Sequence, residues 1–286
     1  MSGVEEALAA LPPLREVIAR SGMDARKSLG QHFLLDLNLT GKIARAAGDL
    51  AGVNVIEVGP GPGGLTRALV ASPATEVIAV ERDRRCHDVL GSLIAASAGR
   101  LRLIEADALA CDLAALCPAP RAIIANLPYN IATPLLIGWL RQTPAFSVMV
   151  LMFQAEVARR LTASPRTKDY GRLSVLTQWL MKPEYLFELP PRAFTPPPKV
   201  TSAVVRLTPR VDRVDPALFA SMEKVTAAAF GQRRKMLRAS LKSLTPDAES
   251  LLQAAGIPGT ARAEEIGWEG FMTLASAVLN MQRSRP

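Results

Sequence analysis

The stretch VNVIEVGPGPGGLT, from Val53 to Thr66, decides how the rest of the chain reads. Val53, Val55, Ile56 and Val58 form a short β-branched run of the kind a buried parallel strand carries. Gly59, Gly61, Gly63 and Gly64 follow at once, and Leu65 to Ala71 resume a helical pattern. The order is strand, glycine turn, helix start. Glycine lets the backbone approach a ligand with no Cβ in the way, and the helix amino terminus behind it offers unpaired N–H groups. A nucleotide-like ligand is the expectation.

Working outward, Glu76 to Val80 reads as a second strand that ends in Glu81. An acid about 20 residues beyond such a turn can accept both ribose hydroxyls. Gly59-x-Gly61-x-x-Gly64 satisfies the dinucleotide pattern, and Gly59-x-Gly61-x-Gly63 equally satisfies the shorter turn of S-adenosylmethionine enzymes. The glycines alone leave both open. Strands are expected at 53–58, 76–80, 101–104, 121–125 and 148–153, with helices at 37–47, 64–71 and 83–97. That alternation predicts a doubly wound α/β sheet of parallel strands, with the ligand at their carboxyl ends. Asp107 follows the third strand, where it either hydrogen-bonds an adenine amino group or caps the next helix.

The fourth strand runs into Asn126-Leu127-Pro128-Tyr129-Asn130. Pro128 removes an N–H and stiffens the turn, Asn126 and the Leu127 backbone offer acceptors, and Tyr129 offers a ring. Such a group suits a flipped planar base with an exocyclic amine. Strands are also read at 185–189 and 202–207, around the proline-rich run Pro190 to Lys199. A rigid loop of that kind could hold Phe194 over the cleft opposite Tyr129.

The 286 residues carry 34 basic and 26 acidic side chains, a balance of +8 that favours a polyanionic partner. Cys86, Cys111 and Cys117 are odd in number and suggest no disulfide framework; His32 and His87 are too isolated for a metal site. No Ser/His/Asp arrangement is evident. Glu5 and Glu6 precede the first apolar residues, unlike a secretory signal, and no apolar run reaches membrane-spanning length. A cytoplasmic protein is expected.

Three regions are expected: an extension over 1–25, in which Pro12 and Pro13 separate one short helix from the next; a catalytic domain over 26–209; and a small all-α domain over 210–286. Residues 154–182 read as helix interrupted by a polar insertion at 164–171, and the last region as helices at 215–230, 234–244, 246–255 and 269–281. From Lys224 to Lys242 the charged residues are all basic, which makes that segment a phosphate track or a solvated helix face.

KSLGQHFLLD (27–36), VIEVGPGPGGLT (55–66), ERD (81–83), EADAL (105–109), ANLPYNIATP (125–134), RAFTPPPKVTSAVVRL (192–207) and FGQRRKMLRASL (230–241) occur in that order. In this the chain resembles the small-subunit ribosomal RNA adenine N6,N6-dimethyltransferases. The resemblance implies a class I methyltransferase (Rossmann-like) fold with a small α-helical carboxyl-terminal domain, and S-adenosylmethionine as cofactor. His32 and Leu34 would border that cofactor, Gly59 and Gly61 approach its methionine part, Glu81 hold its ribose, Asp107 its adenine, and Asn126 lie near the methyl. His32 stands where many members have Asn. Asn126, Leu127, Pro128, Tyr129 and Phe194 would make the catalytic group, and Lys27, Arg233, Arg234, Lys235 and Arg238 would meet RNA. The implied partners are the small ribosomal subunit and its rRNA, for a monomer that uses no metal and no membrane. Two other enzyme classes share some of the pattern. Large-subunit rRNA methyltransferases lack the FTPPPKV run, and a dehydrogenase on the same glycine turn would leave NLPY without a purpose.

Overall fold

The computed structural model describes residues 3–21, 32–210, 214–232 and 234–283. Its strands are β1 (Phe33–Leu34), β2 (Asn54–Val58), β3 (Glu76–Glu81), β4 (Leu101–Glu105), β5 (Arg121–Asn126), β6 (Val148–Gln154), β7 (Met181–Leu189), β8 (Phe194–Thr195) and β9 (Ser202–Pro209). Seven of them form one sheet in the order β4-β3-β2-β5-β6-β9-β7, and β1 pairs antiparallel with β8. β2 is buried at every position and β5 and β6 nearly so. Burial on both faces is why these strands are rich in Val, Ile, Ala and Met and do not alternate apolar with polar residues, Asn54 and Glu57 being the polar residues within β2. β4 lies at the edge, and its exposed Arg102 and Glu105 reflect that position.

β2 pairs in parallel with β3 on one side and β5 on the other, so the strand order reverses between them. Ligands bind outside the carboxyl ends of strands at such a switch point. The sheet departs from the all-parallel expectation at β9, which runs antiparallel to β6. A parallel return needs a long crossover, usually a helix. Residues 190–201 hold only one short turn of helix among their prolines, so the chain comes back antiparallel.

The chain divides into two compact units, Met1–Ala158 with Glu184–Thr208, and Arg159–Pro183 with Pro209–Pro286. This partition differs from the contiguous 26–209 reading by assigning Arg159–Pro183 to the second unit. It also draws the amino-terminal helices Gly3–Ala9 and Leu14–Ser21 into the first. Leu14 is buried, Val4, Leu8 and Leu11 pack on the main core, and Val17 and Ile18 pack around Phe33, Cys86 and Val89. These helices cover apolar surface.

In the second unit Trp179 packs on Phe219 at 5.9 Å and Phe230 stacks on Phe271 at 5.4 Å between ring centres. The Tyr170 hydroxyl donates to the Ile266 carbonyl at 2.9 Å. The helix expected over 234–244 is instead a short helix at Leu237–Ser240 and one 3₁₀ turn at Leu241–Ser243. Met236 bridges to Arg262 in extended form and the Leu237 N–H donates to the Ala261 carbonyl, so tertiary pairing overrides helical propensity there. Among the described residues no helix is long and apolar enough to cross a membrane.

Candidate active site

The glycine turn holds its shape because β1 lies across it. Gly61 has φ +53, and a Cβ there would meet the Phe33 ring at 3.1 Å; a Cβ on Gly64 would fall on the Leu34 carbonyl oxygen. No other residue type leaves room for β1. The carboxyl ends of β2, β3, β4 and β5, closed over by β1, enclose a cleft of about 350 Å³. That volume falls in the range of small-molecule sites.

All seven residues expected to border a cofactor, His32, Leu34, Gly59, Gly61, Glu81, Asp107 and Asn126, line this cleft, together with Leu127, Pro128 and Tyr129. Glu81, 8% exposed, ends β3 and accepts from the Asp83 N–H at 2.8 Å. Burial pushes its carboxyl up, while backbone N–H groups of Asp83, Gly61 and Arg82 pull it down. Asp107 caps the turn that follows β4 and lines the cleft. Its Oδ1 accepts from the Leu109 N–H at 3.0 Å, and its Oδ2 pairs with Arg82 at 3.1 Å on the cleft wall. That ion pair is exposed and contributes little stability.

At the end of β5, Asn126 Nδ2 donates to the His32 carbonyl oxygen at 3.0 Å. The bond takes one of the amide's two N–H donors and orients the group, with Oδ1 as an acceptor. His32 is held in turn. Its Nδ1 lies 2.8 Å from the Pro196 carbonyl, which can only accept, so Nδ1 carries the proton. The imidazole stacks against Tyr129, 5.6 Å between centres and 29° between planes. The Tyr129 hydroxyl meets Ser202 Oγ at 2.5 Å, and burial raises the phenol's pKa, keeping it neutral. Pro128 lacks an N–H and stands just before the helix Tyr129–Leu140, where no such donor is needed.

Phe194 is not brought to the cleft. It pairs with Leu34 across β8 and β1 and is 3% exposed within the apolar core that includes Leu34, Val204 and Leu189. A position opposite Tyr129 requires the proline loop to overhang the cleft, whereas the loop delivers Phe194 inward as a core residue. Lys27 and Arg233 lie outside the described residues. Arg234, Lys235 and Arg238 are exposed on the second unit.

Three groups escape the sequence reading as site residues. Ser202 tethers Tyr129, Pro196 receives His32, and Glu57 lines the cleft from within β2. Only Glu57 leaves a signal, as an acid between Ile56 and Val58 in a buried strand.

The model of the family described as ribosomal RNA adenine dimethylase matches residues 22–278. The chain belongs to that family. Ribosomal RNA small subunit methyltransferase A of Rhodospirillum rubrum is 65% identical over 268 residues, which are 94% of this chain and 93% of that protein. The protein of the same name from Paramagnetospirillum magneticum is 62% identical over 271 residues, 95% and 96% of the two chains. Among solved structures, the 23S rRNA methyltransferase ErmE has a TM-score of 0.64 and 29% identity, covering 86% of this chain and 99% of its own. A dimethyladenosine transferase from Plasmodium falciparum has a TM-score of 0.70 at 24% identity, covering 85% of this chain and 96% of its own, a likeness of fold.

As a ribosomal RNA adenine dimethylase the chain is a methyltransferase with the class I, Rossmann-like fold, acting on adenines of ribosomal RNA. Methyltransferases of this family use S-adenosylmethionine.

Proposed function

We propose that the chain transfers methyl groups from S-adenosylmethionine to N6 of two adjacent adenosines in the 3′-terminal hairpin of small-subunit ribosomal RNA. The product would be N6,N6-dimethyladenosine, made during ribosome biogenesis in the cytoplasm by a monomer. The observation that carries the reading is Asn126, clamped by the His32 carbonyl beside the Tyr129 ring, in the same cleft as Glu81 and the glycine turn. The names of its relatives support the small subunit as the source of the RNA.

The donor set fits this cofactor. The glycine turn leaves room for its methionine part, Glu81 offers a buried carboxylate to ribose hydroxyls, Asp107 offers an acceptor to the adenine amine, and His32 and Leu34 border it. Bound there, S-adenosylmethionine supplies an electrophilic methyl. The chain's own residues do the rest. An adenine N6 lone pair is delocalised into its ring, so the amine is a weak nucleophile and positioning must raise its reactivity. Asn126 Oδ1 and the Leu127 carbonyl accept the amine's N–H bonds and draw N6 toward a tetrahedral shape. Tyr129 stacks on the base, and such stacking is worth roughly 1–3 kcal/mol per base, which offsets some of the cost of unstacking it from RNA. Once the methylated N6 has given up a proton to solvent, a single N–H remains, enough for one of the two acceptors.

Lys27, Arg233, Arg234, Lys235 and Arg238 serve as phosphate contacts in this reading, and the helical second unit as the RNA-binding region. The deciding experiment is methyl incorporation from labelled S-adenosylmethionine into small subunits from cells lacking the protein, followed by nucleoside analysis. N6,N6-dimethyladenosine at adjacent hairpin positions is expected; labelled methyladenosine in large-subunit RNA alone would overturn the substrate, and binding without incorporation would make the chain an assembly factor.

A further inference from the structure

Glu57 is an acid with nothing to neutralise it. It sits within β2, 1% exposed, directly before the glycine turn, and it lines the cleft. Its Oε2 is buried and makes no hydrogen bond, and among the described residues no cation pairs with it. The Thr66 hydroxyl, on the helix Gly64–Val70, lies close by without a well-formed hydrogen bond. From β3 the group that acts on Glu57 by charge is a second acid, Glu81. Cys86 faces Glu81, and Arg67 on the Thr66 helix is turned to the Pro12 carbonyl at 2.8 Å. The remaining charged groups of the cleft, Arg82, Asp83, Arg84 and Asp107, are hydrogen-bonded to one another, to Arg85 or to Glu105, and His32 is held by Pro196.

A buried carboxylate with an orphan oxygen and a like charge as neighbour is among the least favourable states a side chain can adopt. The neutral acid avoids it. A cation arriving in the cleft reverses the balance, because an opposite charge within a few ångströms favours the ionised form. S-adenosylmethionine carries an ammonium and a sulfonium against one carboxylate, so it brings net positive charge.

We infer that Glu57 is a neutral carboxylic acid in the free protein and ionises when the cationic cofactor binds, so that cofactor binding releases one proton to solvent. Glu57 thereby becomes a positioning residue that exposes its charge only to the filled cleft. Burial, opposed by Thr66 and reinforced by Glu81, holds the carboxyl at about 8, which leaves it largely protonated at neutral pH. The inference rests on the cleft being the S-adenosylmethionine site.

Calorimetric titration of the full chain with S-adenosylmethionine, in phosphate and in Tris at the same pH, reads the protons exchanged. Release of about 0.9 proton is expected at pH 7, falling toward zero by about pH 9, as a group titrating at about 8 requires. The Glu57→Gln protein should bind without that release; the cofactor's own amine contributes equally to both and cancels in the difference. In the wild-type protein alone, the infrared difference spectrum should lose a protonated-carboxyl C=O band on binding, a readout that does not depend on the variant folding. Binding with no proton release, or equal release from Glu57→Gln, would overturn the inference and leave the cofactor assignment standing. No binding at all would overturn the cofactor assignment itself, and the inference with it.

Discussion

Asn126 Nδ2 donates to the backbone carbonyl of His32 at 3.0 Å, joining the end of a central strand to a residue 94 positions earlier in the chain. The bond sets which end of the Asn126 amide faces the cleft. Replacing Asn126 with Ala removes the substrate acceptor and the clamp together. Methyl transfer in single turnover should fall by about 100-fold or more, the scale of losing one oriented polar group at a reacting atom. Cofactor affinity should change much less, and a variant retaining most transfer would remove Asn126 from the mechanism.

Tyr129 is tethered through its hydroxyl to Ser202 at 2.5 Å while its ring faces His32. Ring and tether are separable. Tyr129→Ala should lose roughly 1–3 kcal/mol of stacking, or about 5- to 150-fold in kcat/KM toward RNA. Tyr129→Phe and Ser202→Ala should each lose far less and resemble one another, since both remove only the tether.

The Gly64→Ala substitution tests the seating of β1. The added Cβ would fall on the Leu34 carbonyl oxygen, a backbone atom that cannot swing away. Destabilisation at the upper end of the about 1–3 kcal/mol typical of overpacking is expected, seen as a lower Tm, together with weaker cofactor binding. A variant as stable as wild type would mean that β1 is free to move off the turn.

Glu57 makes the stability of the free protein depend on pH. Its carboxyl is raised from 4.5 to about 8 by burial, so between those values the folded state binds more protons than the unfolded one. Its contribution is fully present below about pH 4.5 and is lost as pH rises through about 8. Measured by Tm, wild type should therefore lose ground to Glu57→Gln between pH 5 and pH 8. Curves that stay parallel would contradict the assignment.

Arg234, Lys235 and Arg238 are exposed on the second unit. Changing all three to Ala should weaken RNA binding and flatten the dependence of log affinity on log salt by roughly 2–3, given about 0.7–0.9 per phosphate contact. An unchanged slope would make this segment an ordinary solvated surface.

The sheet and the strand-end lining of the cleft are legible in the sequence because their signals are local. A buried β-branched strand, a glycine turn and a helix start are contiguous from Val53 to Thr66, and Glu81, Asp107 and Asn126 each lie at or just beyond the end of a strand of the same sheet. Parallel topology then brings strand ends together without further information. Phe194 is misplaced by sequence reasoning because a proline-rich loop shows rigidity but not direction, and its pairing with Leu34 joins segments about 160 residues apart. The antiparallel insertion of β9 and the packing of the amino-terminal helices on the core are decided in the same non-local way.

The sequence by itself thus determined which strand-end residues line a cleft fit for a nucleotide-like ligand, since residue type and spacing along a strand suffice for that. Tertiary structure alone decided their states. It determined that the Asn126 amide is oriented by the His32 carbonyl, that Tyr129 is tethered by Ser202, and that Glu57 lies buried beside another acid. Hydrogen-bond direction and desolvation depend on what surrounds a group in space, and those neighbours come from distant segments of the chain.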